Sequence, residues 1–464
     1  MINLALARQL ELLANQLETS ERPAVEIDSR NSLRELAGCD QWGETQFKLL
    51  DFLSKRLDIN GKLFEGYDSN GRKLSEAIVD EPVWLELLVG VLLKGLVLSQ
   101  LSNSKELTLK RFNVLFKSLD LVQPHWLSKG TELEAMLNNM WIACCRAAER
   151  SADLPISSIP KGGKQTGLRH IPLTVLFYEG PIARAYLATL RHLGLRPEKI
   201  IELVSSKDLV TGRPVGRWLP NGIRLSYAAT VQHNKIHYWS KKLSKSHPEL
   251  IAAIGSAVDE KFGFAREVVA GANSFLPLSS YSDRIDSLMV NGLDDPKLFS
   301  YLTTEPAAAV LYTGGGIVPA ALLQLSHTRL LHIHPGFLPA IRGADCALWS
   351  SLLQRRMSAS CFYMAPGIDS GDIILSSWLP ELSVRGAFSG IDSLSLYRAT
   401  YAFIDPWVRA FLLRELVLCN DSFEFIPATS QAEYSGNTYH FMHNKLKNLA
   451  FQKIYKIRRD SGPA

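Results

Sequence analysis

The stretch from Ile171 to Val204 limits the fold more than any other part of the chain. Ile171-Pro-Leu-Thr-Val-Leu-Phe177 is an apolar run of the length and type of a buried strand. Ile182 to Leu193 repeats apolar residues at helical spacing, and Lys199-Ile-Ile-Glu-Leu-Val204 is a second short apolar run. Strand, helix and strand in so few residues form a βαβ unit, which implies a parallel sheet and an α/β fold. The first turn, Tyr178-Glu-Gly-Pro181, holds one glycine. That is not a dinucleotide fingerprint, so NAD is not predicted.

The rest of the chain arranges itself around this unit. Residues 1–153 show apolar residues at three- and four-residue steps in Leu4–Leu17, Phe47–Leu57, Val83–Leu98, Leu107–Leu121 and Leu133–Ala148, which predicts a helical N-terminal domain of unassigned role. Val83–Leu98 carries Glu86 and Lys94 and is too short to span a bilayer, so it is expected as a buried helix. Residues 154–169 are rich in Pro, Gly, Ser and Lys and are expected as a linker. The α/β domain is expected over 170–380. Its later elements are a strand at Ser287–Val290, a helix from Asp295 to Leu302, strands at Ala307–Tyr312 and Leu330–Ile333, and a strand at Ser358–Met364. Residues 381–464 are expected as a helical extension on the core, with one helix at Leu396–Cys419. Lys235–Lys245 mixes basic and aromatic residues and is expected as a solvated helix face with two buried aromatics.

One stretch carries most of the chemistry. Leu331-His-Ile-His-Pro-Gly-Phe-Leu-Pro339 holds two histidines one residue apart, and Arg342-Gly343 follows. Asp369 lies 35 residues after His334 in the turn Gly367-Ile-Asp-Ser-Gly371, and Tyr312-Thr-Gly-Gly-Gly-Ile-Val-Pro319 lies upstream. These residues resemble the folate-dependent formyltransferases, which act on glycinamide ribonucleotide, methionyl-tRNA or amino sugars. The family's mark is Asn-x-His-Pro-Ser-Leu-Leu-Pro, then Arg-Gly, then an Asp in a Gly-flanked loop. Two positions depart from it: His332 stands at the Asn, and Gly336 at the Ser. The resemblance is clear over about 305–376 and ends before 155.

The resemblance implies a Rossmann-like core with a mostly parallel sheet, and 10-formyltetrahydrofolate as co-substrate. It gives His334 the role of oxyanion donor and proton carrier. It gives Asp369 the role of orienting His334 and favouring its charged form. His332 is expected to replace the Asn as an N–H donor. Phe362, Tyr363, Met364, Gly367 and Ile368 are implied as the loop that reads the pterin edge. Gly314, Gly315 and Gly316 can bring free backbone N–H groups close to a ligand. With Arg342 they are expected on the substrate side.

Composition narrows the partners. Net charge is +5 over 464 residues, too weak to demand nucleic acid. The six cysteines show no paired metal spacing and, with no signal peptide, read as reduced cytoplasmic thiols. No metal and no membrane partner are expected, and the oligomeric state is open. The expected acceptor is an amine on a small or carrier-bound molecule, such as an amino-sugar nucleotide or a natural-product or peptide intermediate. A methionyl-tRNA-like acceptor stays open, as does a folate-binding protein without turnover. His-x-His with a later Asp is also a metal-hydrolase pattern. Only 130 of 464 residues follow His334, too few to complete the barrel in which that pattern opens the first strand.

Overall fold

A computed structural model describes residues 168–456 apart from 307, 387, 389, 421–422, 424–425 and 432–435, with short stretches before 168, chiefly 89–95 and 105–121. The helices expected at 4–17 and 47–57, and nearly all of 133–148 and of the 154–169 linker, lie outside the described residues. The chain divides into two compact units. One is Met1–Ala152 with Tyr439–Leu449, and the other is Asp153–Thr438 with Ala450–Ala464.

In the first unit every regular element described before residue 168 is helical. Residues 89–95 are helical and buried, and Lys94 lies inside the apolar run by donating from Nζ to the Ala37 carbonyl at 2.8 Å. Helix α1 (Lys105–Leu121) stacks Phe112 on Phe116 at 5.6 Å, and Trp141 meets Phe116 edge-on at 5.1 Å. Among the described residues no helix is long and apolar enough to cross a membrane.

The second unit is α/β. It runs β1 (Arg169–Tyr178), α2 (Pro181–His192), β2 (Leu195–Ser205), α3 (Asn221–Ile236), α4 (Tyr238–Ser246), α5 (Pro248–Phe262) and α6 (Arg266–Asn273). Then come β3 (Ile285–Val290), α7 (Pro296–Thr304), β4 (Ala308–Tyr312), β5 (Thr328–His334), α8 (Cys346–Gln354), β6 (Ser358–Tyr363) and β7 (Ile373–Trp378). Helices α9 (Ser393–Ala399) and α10 (Asp405–Cys419) follow, and α11 (Asn444–Tyr455) begins in the first unit and ends in the second. The seven strands lie in the order β3-β2-β1-β4-β5-β6-β7. The first five are parallel, and β6 and β7 are antiparallel to their neighbours. Strand order reverses between β1 and β4, so their carboxyl ends open a crevice of the kind in which such sheets place ligands.

Apolar side chains explain the layering. Leu176, Ile201, Leu203, Val310 and Leu330 from four strands pack with Leu298 and Leu302 of α7. Asp295 caps α7 by accepting from the Lys297 N–H, and Pro296 fills its first position.

Residues 205–280 hold four helices. Two expectations need correction. Tyr238 and Trp239 are 53% and 37% exposed, and the buried side chains beside them are His237, Ser240 and Leu243. The Trp239 ring is covered instead by a cation: the Arg398 guanidinium sits 3.2 Å from its centroid. Finally, the single helix expected at Leu396–Cys419 is broken by a π-helical turn, Thr400–Ile404.

Candidate active site

His332 and His334 are two apart on β5 and so project to the same face of the sheet. His334 is 4% exposed. Its Nδ1 lies 3.4 Å from Asp369 Oδ2, and its Nε2 lies 3.2 Å from the Ile341 carbonyl. Both neighbours are acceptors, a setting that suits the imidazolium. Burial opposes that charge and wins, with Arg409 adding to it, so the His334 pKa is lowered although Asp369 pulls the other way. Asp369 thus pulls towards the charged form as expected, and burial sets the net direction.

The loop geometry explains this placement. Gly336 has no Cβ, and one built there would fall 2.4 Å from the Ile341 oxygen and 2.6 Å from His334 Nε2. A serine at this position would push the imidazole away. Ser360 pins the rest of the loop. It is fully buried, donates to the Gly336 carbonyl at 2.7 Å and accepts from the Leu338 N–H at 2.8 Å.

Asp369 sits in the left-handed region at φ 50. Its Oδ2 accepts from the Gly343 N–H at 2.9 Å. Gln431 Nε2 donates to the carbonyls of Asp369 and Gly371 at 3.0 and 2.6 Å. A Cβ on Gly371 would lie 1.6 Å from the Tyr363 oxygen, so only glycine fits there. The Arg-Gly pair thus holds the carboxylate through Gly343, while Arg342 donates from Nε to the Pro339 carbonyl at 3.3 Å within its own loop.

His332 is placed differently from an asparagine amide. Its Nδ1 is 3.3 Å from the Tyr312 carbonyl, and its Nε2 is 3.4 Å from Arg409 Nη1. A carbonyl on one side and a guanidinium on the other fix the tautomer with hydrogen on Nδ1. Burial and the Arg409 charge push its pKa down to about 3. Its one N–H is therefore directed at backbone.

The Gly-rich turn lies at the end of β4. Thr313 Oγ1 accepts from the Tyr178 N–H at 2.9 Å, which ties the turn to the end of β1 at the crevice. Tyr312 Oη donates to the Gly315 carbonyl at 2.9 Å, and a Cβ on Gly314 would strike that phenol at 2.5 Å. Gly315 and Gly316 are exposed. In the pterin-loop segment, Phe362 and Tyr363 are 2% and 3% exposed, and the Tyr363 N–H is taken by the Asp372 carbonyl. These two support the loop from the core rather than line it. Ala365, Gly367 and Ile368 follow, with backbone groups in no hydrogen bond within the described residues and Gly367 at φ 115. That row of open N–H and C=O groups can receive the polar edge of a ligand.

Several site residues were not foreseen. Arg409 donates from Nη1 to the Ile333 carbonyl at 2.6 Å and from Nε to Asp405 Oδ2 at 2.9 Å. Its sequence signal is the i,i+4 pair Asp405 and Arg409 inside an otherwise apolar helix. Glu179, just after β1, receives Arg184 in a bidentate fork and the rings of His233 and His237 at 3.3 and 3.0 Å. The ligand atoms of Glu179, His233 and His237 lie within 4.8 Å of one another, a metal-like set. The Arg184 guanidinium already supplies a cation there.

No family model matches the chain. A methionyl-tRNA formyltransferase from Syntrophus aciditrophicus (strain SB) is 29% identical over 132 residues, 28% of this chain and 41% of that protein. Over that stretch the chain is similar to a formyltransferase. This chain spans about two fifths of the length of the relative it matches. The chain also aligns with a sugar N-formyltransferase from Shewanella sp FDAARGOS_354, 12% identical over 61% of this chain and 87% of that one, at TM-score 0.28. It aligns with HypX from Aquifex aeolicus in complex with tetrahydrofolic acid at 17% identity, over 39% and 30% of the two chains, at TM-score 0.24. Superpositions this loose carry no weight for the site, whose description rests on its own geometry.

Proposed function

We propose that this protein moves a formyl group from 10-formyltetrahydrofolate to the amine of a small or carrier-bound acceptor in the cytoplasm. The observation that carries it is the buried His334 with Nδ1 3.4 Å from Asp369 Oδ2 at the carboxyl end of β5. A neutral imidazole can take the proton that the attacking amine must shed. The adjoining Asp369 carboxylate stabilises the imidazolium so formed, and the proton then goes to the departing folate nitrogen. Ala365, Gly367 and Ile368 would hold the pterin edge, and the folate supplies the formyl carbon. The name of the relative, methionyl-tRNA formyltransferase, supports an amine as acceptor.

The test is release of tetrahydrofolate with a gain of one formyl group in a pool of candidate amines. Activity should fall by roughly 10²–10⁴ in His334→Ala and in Asp369→Ala, the range of a lost general base. Full activity in both variants would overturn the assignment.

A second acceptor class, an amine carried on nucleic acid, is favoured by one basic segment. Between residues 206 and 247 Asp208 is the one carboxylate, while Arg213, Arg217, Lys241 and Lys242 are exposed, as is Trp218 at 80%. Basic groups with an open aromatic suit a phosphate backbone and a base. Turnover of an aminoacyl-tRNA that falls steeply with added salt would select this class.

A further inference from the structure

The His332 side of the site lacks a free neutral donor, yet it holds a fixed cation. His332 gives its N–H to the Tyr312 carbonyl and turns its bare Nε2 to Arg409. Arg409 is held at two points, by Asp405 through Nε and by the Ile333 carbonyl through Nη1. Its Nη2 makes no hydrogen bond of good geometry with the described residues, although the buried Tyr186 phenol also interacts with the guanidinium. The side chain is 12% exposed. Burial works against the guanidinium charge, and Asp405 outweighs it, so the group stays cationic.

We infer that Arg409 is the positive N–H donor that meets the oxyanion on the His332 side, with His332 acting as a spacer that holds the guanidinium in place. The inference rests on formyl transfer as the reaction. A donor fixed in advance in a water-poor site is worth far more than one that must be ordered during the reaction. Arg409 meets that condition because both of its anchors lie on the same fold: Asp405 on its own helix and Ile333 on the strand between the two histidines. The motif position that breaks the family pattern and the unforeseen arginine are therefore one feature. A histidine whose Nε2 accepts a hydrogen bond is what an arginine needs as neighbour, and an asparagine is not required once the arginine is there.

The test uses the full-length protein with Arg409→Gln, Arg409→Lys and the double variant Arg409→Gln/His332→Asn. In Arg409→Gln, kcat should fall by about 10²–10³, the loss seen when one oxyanion donor is removed, while KM for the folate moves by less than about threefold. Arg409→Lys should recover part of the loss. The double variant, which returns an amide donor to position 332, should recover at least about tenfold over Arg409→Gln. A kcat in Arg409→Gln within threefold of wild type overturns the inference. So does a loss carried by KM alone, and so does a loss that neither second variant recovers. Formate binding in the presence of tetrahydrofolate, followed by saturation-transfer NMR, gives a reading that needs no turnover. It should weaken about tenfold in Arg409→Gln, and unchanged formate affinity overturns the inference. If wild type releases no tetrahydrofolate with any amine while formate affinity still drops, formyl transfer is refuted and the anion-facing role of Arg409 stands.

Discussion

At the scale of single residues, the two histidines are tuned by burial more than by their partners. In an unfolded chain a histidine titrates near pH 6.5, whereas His332 in the folded protein is pushed down to about 3. Between those values the unfolded chain binds a proton that the folded one refuses. Folding stability therefore falls as pH drops through that window, by up to about 1.4 kcal/mol per pH unit for each such histidine. His334 is shifted in the same direction and adds to the slope. Replacing His332 by Asn removes one contribution. Urea midpoints between pH 6.5 and pH 4.5 should decline less steeply in His332→Asn than in wild type, and equal slopes would sink the idea. The residues that create this tuning were only half legible. His332, His334 and Asp369 stand out by spacing, because catalytic motifs are local in sequence. Arg409 comes from 75 positions beyond His334, and nothing short of the fold brings it under β5.

At the scale of elements, the turn after β1 deserves a chemical account beyond its single glycine. Glu179 is 10% exposed at its side chain, and Arg184 is 9% exposed. The carboxylate accepts from Arg184 Nε at 2.9 Å and Nη2 at 2.5 Å, and also from the Gly180 N–H at 3.0 Å. The His237 ring donates from Nε2, and the Phe275 ring lies 4.5 Å from both imidazoles. Burial would raise the Glu179 pKa, but Arg184 and the two histidines hold it far below the usual carboxylate range. This cluster joins the start of α2 to the junction of α3 and α4. Glu179→Gln leaves the Arg184 charge buried without its counter-ion, which costs about 3–5 kcal/mol. Chemical denaturation should show that loss, and a loss under about 1 kcal/mol would show that water reaches the cluster. Strands β1 to β5 and helices α2 and α7 were legible because their apolar periods and cap residues are local signals. Strand β7 was not, since Ile373-Ile-Leu-Ser-Ser-Trp378 mixes apolar and hydroxyl residues. The π-helical turn at Thr400–Ile404 was not either. It is set by tertiary bonds: Tyr397 and Tyr401 both donate to Asp345 Oδ1, at 2.8 and 2.7 Å.

At the scale of the whole molecule, the chain's end returns to its beginning. Sequence composition places residues 381–464 on the α/β core, because a polar tail carries no long-range signal in its own letters. Yet Tyr439–Leu449 is grouped with Met1–Ala152. The tie is made by Asn113, which is fully buried in α1. Its Oδ1 accepts from the His443 N–H at 2.6 Å, and its Nδ2 donates to the Phe441 carbonyl at 3.1 Å. A side-chain amide that satisfies two backbone groups at once acts like a strand partner for the returning segment. The His443 ring packs on Phe116 at 5.4 Å beside it. Asn113→Ala removes both bonds and strands a backbone N–H in a buried place, at a cost of about 1–3 kcal/mol. The effect should be local to one unit. Hydrogen exchange should quicken at residues 441–449, while the amides of β1 keep their protection, because those strands open only with the α/β unit. Equal protection of 441–449 in wild type and variant would detach the segment from the helical unit. Faster exchange along β1 as well would mean that the two units unfold as one.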